Sequence, residues 1–147
     1  MVDTRVQLEV EDWVRQNWMR EHFNRNFHRD RLKLSSGGVF DFDAVSEDKT
    51  IAACISTSEG KTASGKLAVG KMMKLRSDML FLLMAEDLRQ RYIVLTEESM
   101  YANCMKEKGG GRVPKEISFL LAAIPDDYRR RLEAVRAEAS KEVSPVR

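Results

Sequence analysis

The chain has too few cysteines for a disulfide framework. Cys54 and Cys104 are its two. They fit no metal-ligand spacing, so the expectation is a pair of reduced, half-buried thiols. Histidine is equally scarce. His22 and His28 lack an adjacent acid or nucleophile pattern, and Cys54 carries no local signature of a thiol–imidazole dyad. No apolar run approaches the ~20 residues that span a bilayer; the longest, Met79 to Ala85, stops far short. The start is charged from Asp3 onward and has no apolar signal region, which points to a cytoplasmic protein with no membrane partner. Excess charge is missing too: 25 basic residues face 23 acidic ones. By itself that balance is a poor advertisement for nucleic-acid binding, whose usual footprint is a strongly basic stripe. There is no internal repeat.

The 147 residues are one domain's worth, expected as a single α/β domain over 1–143 with a short tail at 144–147. Local charge is uneven. Arg15, Arg20, Arg25, Arg29, Arg31 and Lys33 crowd the first third, and Arg129, Arg130 and Arg131 form a second cluster. Both read either as solvated surface or as phosphate contacts.

Thr4 followed by Gln7 is a capping box, so a helix begins near Arg5. Val6, Val10, Val14, Trp13 and Trp18 form its apolar stripe, and the same side continues through Asn17, Glu21 and Asn24. Val39 to Ser46 alternates as a strand, with Phe40, Phe42 and Ala44 on one face and Asp41 and Asp43 on the other. After a turn at Glu47-Asp48-Lys49, Ile51 to Ser58 returns as an interior strand. A two-residue turn sets Asp43 opposite Ala52 and Asp41 opposite Cys54, and puts Ser56 and Ser58 on the aspartates' face.

A loop then leads into a helix from Lys66, with Ser64 as a possible cap. Ala68, Val69, Met72, Met73, Leu75, Met79, Leu80 and Leu83 make its broad apolar face; Lys71, Lys74 and Asp78 lie opposite. Arg76 projects from the apolar side and must snorkel or find a partner. Tyr92 to Thr96 reads as a third strand, parallel to the second across that helix. Met100 to Met105 is helix or strand, Ile117 to Ile124 is too short to type, and a last helix runs from Tyr128 to about Glu142. The fold class is α/β, with a small mixed sheet (antiparallel hairpin plus parallel strand) between helices.

Two features carry chemistry. Asp41 and Asp43, about 7 Å apart on one pleated face, can share a divalent cation, since hard cations want oxygen ligands. The loop from Gly60 to Lys66 fits the first part of a phosphate-binding P-loop, but Leu67 stands where a hydroxyl should hold Mg²⁺. The expectation is a looser phosphate contact through Lys61, Ser64 and the backbone. Ser56, Ser58 and Arg76 complete the candidate ligand-binding set.

The element order and these residues resemble the PD-(D/E)xK nuclease superfamily, the restriction-endonuclease-like fold, over roughly Val6 to Thr96. Asp41 or Asp43 matches the superfamily's first acid, and Glu21 matches the acid some members place on their first helix. The (D/E)-x-K positions fall at Cys54-Ile55-Ser56 or Ser56-Thr57-Ser58, which hold neither acid nor lysine. Members that relocate the lysine onto the helix would use Lys66 or Lys71. The resemblance implies Mg²⁺ on Asp41 and Asp43, assistance from Glu21, and a nucleic-acid partner that is cut or, if the site is incomplete, only bound. The alternative is a non-catalytic module that contacts a protein partner or a second copy through the Met-rich helix (Met72, Met73, Met79, Met84).

Overall fold

A helical run opens the chain: α1 (Arg5–Trp13), a π-helical turn (Val14–Trp18) and α2 (Met19–Phe23). The computed structural model describes residues 4–143, so the expected tail at 144–147 lies outside the described residues. The run buries Val6, Val10, Val14 and Met19. The last step, from Val14 to Met19, is one residue longer than the others. The π turn absorbs that residue and keeps Met19 facing the sheet. Asn24 ends the run in the left-handed conformation, at φ 53°.

The next element is the strand β1 (Phe27–Lys33), which has no apolar period. It joins β2 (Val39–Ser46) and β3 (Ile51–Ser56) in an antiparallel meander. Only Phe27 of its seven residues is buried. Charged side chains on both faces suit an edge strand, which they protect from further pairing. The remaining strands, β4 (Gln90–Leu95) and β5 (Ile117–Leu121), run parallel to β3. Among the described residues the sheet is five-stranded and mixed, and its spatial order is the chain order.

The β2–β3 register differs from the expected one. Val45, not Asp43, faces Ala52, because the connection is wider than two residues and Lys49 turns it at φ 59°. A two-residue offset preserves which face each side chain occupies. β3 is interior as expected: Ile51 and Ala53 face one core, and Ala52 and Cys54 the other.

Helices cover both faces of the sheet. On one side lie α3 (Val69–Met84), linking β3 to β4, and α4 (Glu98–Gly109), linking β4 to β5. Their Met72, Leu75, Met79, Leu82, Met100 and Cys104 close over Phe42, Val45 and Ile93. On the other side, α1 and α5 (Asp126–Val143) pack Val10, Val14 and Leu132 against Ala44, Ala53 and Val94. No helix of the described residues is long and apolar enough to cross a membrane.

Two devices fix the edge where the parallel strands end. Gly60 anchors the long β3–α3 loop to α4: its N–H donates to Ser99 Oγ at 2.8 Å, and Asn103 Nδ2 donates to its carbonyl at 2.8 Å. A Cβ there would lie 2.6 Å from the Ser99 carbonyl oxygen, so the approach requires glycine. Beyond β4, the buried Glu97 accepts from Arg129 at 2.6 and 2.7 Å, from Arg136 at 2.8 Å and from the Thr96 hydroxyl at 2.7 Å. Arg136 also donates to the Thr57 carbonyl at 2.5 Å. One carboxylate thus ties α5 to the ends of both β3 and β4.

Candidate functional site

The site is built where two regular elements each carry one residue too many. Along β1 and β2, His28 faces Val45 and Asp30 faces Phe42. Two steps on β1 therefore match three on β2, which makes a β-bulge at Asp43-Ala44. Phe42 and Ala44 consequently face opposite cores, although strict alternation would put them together. Asp43 Oδ2 accepts the N–H of Ile55 at 2.8 Å, taking the place of a ladder partner. The bulge's carbonyl, at Asp43, accepts Arg15 Nη1 at 3.0 Å. Arg15 comes from the π turn, is 5% exposed, and also binds Glu11 at 3.3 Å and Asp12. Helix irregularity and strand irregularity thus meet at one buried guanidinium.

Beside this junction lies a cleft of about 680 Å³. Glu11 of α1, Asp43 of β2, Ser56 at the end of β3, Ser58 just beyond it, and Lys71, Lys74 and Asp78 of α3 line it. Asp78 is 5% exposed and is held by Lys74 at 2.8 and 3.0 Å. Glu11 is flanked by Arg15 and, at 3.5 Å, by Arg29.

Negative charge is crowded here. Burial raises the Glu11 pKa, and the charge of Asp43 adds to it. Asp78 is raised by burial, with Asp43 again adding, against the lowering effect of Lys74. Burial alone would lower Lys74, but the hydrogen bond and charge of Asp78 outweigh it and leave Lys74 raised. The start of α3 also opens into the cleft, through Ala68, Val69 and Gly70, and no side chain caps it. Comparisons with protein-family models, curated proteins and solved structures gave no match.

Of the residues expected from the sequence, Asp43, Ser56, Ser58 and Lys71 converge on the cleft. Asp41 does not: it is exposed and paired with Arg31 at 2.8 Å, a bond that holds its carboxyl below the ordinary range. Glu21 is exposed on α2, outside the cleft; the acid that α1 supplies is Glu11. Lys61, Ser64 and Lys66 are exposed and do not line the cleft; the loop's contribution to it is Thr62. Ser64 shares a hydrogen bond with Thr62 at 3.0 Å and caps nothing, because α3 starts later, at Val69. Arg76 lies on the far side of α3 and pairs with Glu107 at 3.0 Å. It is about half exposed, so it neither strains nor enters the site.

The expected Mg²⁺ pair, Asp41 with Asp43, is therefore not assembled. The donors that do converge fit Mg²⁺ poorly, since each is already engaged by a protein cation or N–H. Mg²⁺ demands a near-octahedral oxygen shell, and among the described residues no three His, Cys, Asp or Glu side chains group to hold a metal.

Glu11, Lys74 and Asp78 were missed from the sequence. The signal for Asp78 was present: it stands three residues after Leu75 and four before Leu82, on the buried row of α3. The thiols are also more enclosed than expected, with Cys54 at 3% and Cys104 at 0% exposure.

Proposed function

We infer that the cleft binds a phosphodiester of a nucleic acid and does not cut it, on a scaffold related to the restriction-endonuclease-like fold. The order helix, antiparallel pair, helix, parallel strand supports that kinship; here β1 is added at the edge. One observation carries the binding reading. The uncapped start of α3, Lys71 and Lys74 face the same cleft as the hydroxyls of Ser56 and Ser58. Backbone N–H groups at a helix start, with the dipole behind them, favour an anion. The cleft lining carries three carboxylates (Glu11, Asp43, Asp78) and two lysines (Lys71, Lys74); Arg15 and Arg29 offset Glu11 from beside the cleft and Lys74 offsets Asp78.

Absence of cleavage follows from the same geometry. Of the carboxylates that would gather a divalent ion, Glu11 is paired with Arg15 and Arg29, Asp78 is paired with Lys74, and Asp43 accepts the Ile55 N–H. Of the two lysines in the cleft, Lys74 is committed to Asp78, which leaves Lys71 to meet the phosphate.

Fluorescence anisotropy with labelled single-stranded and duplex oligonucleotides tests this. Two phosphate contacts predict about a tenfold loss of affinity between ~50 and ~200 mM salt. Lys71→Glu should weaken binding by at least that factor, and neither Mg²⁺ nor Mn²⁺ should raise the melting temperature or release fragments. No binding at ~50 mM salt, or binding indifferent to Lys71→Glu, rejects the reading. Metal-dependent cleavage rejects its second half.

A further inference from the structure

Three of the cations that crowd the first third of the sequence lie outside the cleft lining: Arg29, Arg31 and Lys33 of β1. The bulge lies in β2, so side chains still alternate along β1. Phe27, Arg29, Arg31 and Lys33 therefore share one face, the one that sends Phe27 into the core under α1. The contacts agree. Arg29 reaches Glu11 of α1 at 3.5 Å, and Arg31 stands opposite Asp41 and donates to it at 2.8 Å. The side chains of Arg29 and Arg31 are 54% and 65% exposed, and Lys33 is exposed opposite the exposed Val39.

Edge protection does not account for this row. It requires charge on the strand, but not one sign on one face. On the opposite face of β1 the charges are mixed and answered within the chain: Asp30 meets Lys49 at 3.6 Å, and His28 lies 3.8 Å from Glu47. On the face of the row, three cations share Asp41 of β2 and the Glu11 carboxylate that Arg15 already holds.

We propose that Arg29, Arg31 and Lys33 form a track that carries the backbone of a single-stranded nucleic acid out of the cleft along β1. This rests on the phosphodiester reading of the cleft and extends it. Glu11 is the join: it lines the cleft and pairs with Arg29, the first cation of the row. Same-face residues of a strand stand about 7 Å apart. Successive phosphates of an extended nucleic-acid strand are spaced by much the same distance. The track is a single file, with Glu11 and Asp12 of α1 on one flank and the end of the sheet on the other. It serves one backbone, and the acids of α1 would repel a second. The row and its β2 partners, Asp41 and Val39, include no aromatic ring, so bases have no platform there and their order is not read.

Fluorescence anisotropy of the full chain with a labelled oligothymidylate of ~12 nucleotides tests the track. Arg31→Glu combined with Lys33→Glu should weaken binding at least about tenfold at ~50 mM salt and flatten the log–log salt slope by about 1.4, at ~0.7 per lost phosphate contact. Both side chains are exposed, so circular dichroism should not change. Asp41→Asn frees Arg31 and should tighten binding about threefold or more. Asp30→Asn, the same charge change on the opposite face of β1, should not. A misfolded variant cannot produce that gain. If Lys71→Glu weakens binding while the row variants and Asp41→Asn leave it unchanged, the cleft reading stands and the track is overturned. Equal tightening by Asp30→Asn also overturns the track, as does a duplex of the same length that binds as tightly as the single strand. No binding by the parent chain, or binding indifferent to Lys71→Glu, rejects the cleft reading and the track together.

Discussion

Removing the Glu97 carboxylate should cost this fold about as much as truncating a large core side chain. Its oxygens take three guanidinium bonds of 2.6–2.8 Å and one hydroxyl bond of 2.7 Å at a site 5% exposed. Breaking a buried ion cluster from one side typically costs ~3–5 kcal/mol, because the other charges stay behind without partners. Here the stranded groups are Arg129 and Arg136, with side chains 32% and 23% exposed. They recover some hydration, which places the loss near the lower end, ~3 kcal/mol. For a chain of this size that is a drop of about 10 °C in melting temperature, at ~2–4 °C per kcal/mol.

Urea titration of Glu97→Ala followed by circular dichroism measures the loss directly, with an unchanged m-value as the sign that only stability moved. Replacing the whole cluster, Glu97→Met with Arg129→Leu and Arg136→Leu, should return stability to within ~1 kcal/mol of the parent, since no charge is then left stranded. The reasoning fails if Glu97→Ala costs under ~1 kcal/mol, or if the triple variant is as unstable as the single.

Two further predictions concern ionisation. Burial pushes the Cys54 thiol far up, with Asp78 and Asp43 adding, and burial with Glu107 pushes Cys104 to about 11. Both should therefore resist alkylation at pH 8 in the folded protein and react only in urea; rapid native labelling would refute this. Asp78 has a raised folded pKa, so its contribution to stability is complete below the unfolded carboxyl value and is lost as pH rises through the folded one. Asp78→Asn escapes that loss. It should melt higher than the parent at pH 7, with the gap closing as the solution is acidified below ~4; a gap independent of pH contradicts the burial argument.

Elements with a clean apolar period were legible in the sequence. The Val6–Val10–Val14 row, the apolar β3 and the run Tyr92 to Leu95 each took the expected form. β1 was not legible, because a charged edge strand buries one side chain and shows no period. The site was half legible. Asp43 and Lys71 were identified, along with Ser56 and Ser58, but Asp41 was paired with Asp43 on the assumption of unbroken alternation. A bulge is a property of two strands together, and nothing in β2 alone marks it. Asp78 lies on the buried row of α3, not on the face opposite it, although acids are mostly exposed.

The extra residue in the first helix and the extra residue in β2 answer each other across Arg15. Deleting one residue from 14–18 would tidy the helix but swing Met19 out of its seat and withdraw the guanidinium from the bulge. Deleting one from β2 at 43–44 would tidy the strand and leave that guanidinium with no carbonyl to meet. The two lengths are therefore coupled. A lineage of this fold should keep both insertions or lose both, and an intermediate with only one would be the least viable of the four combinations.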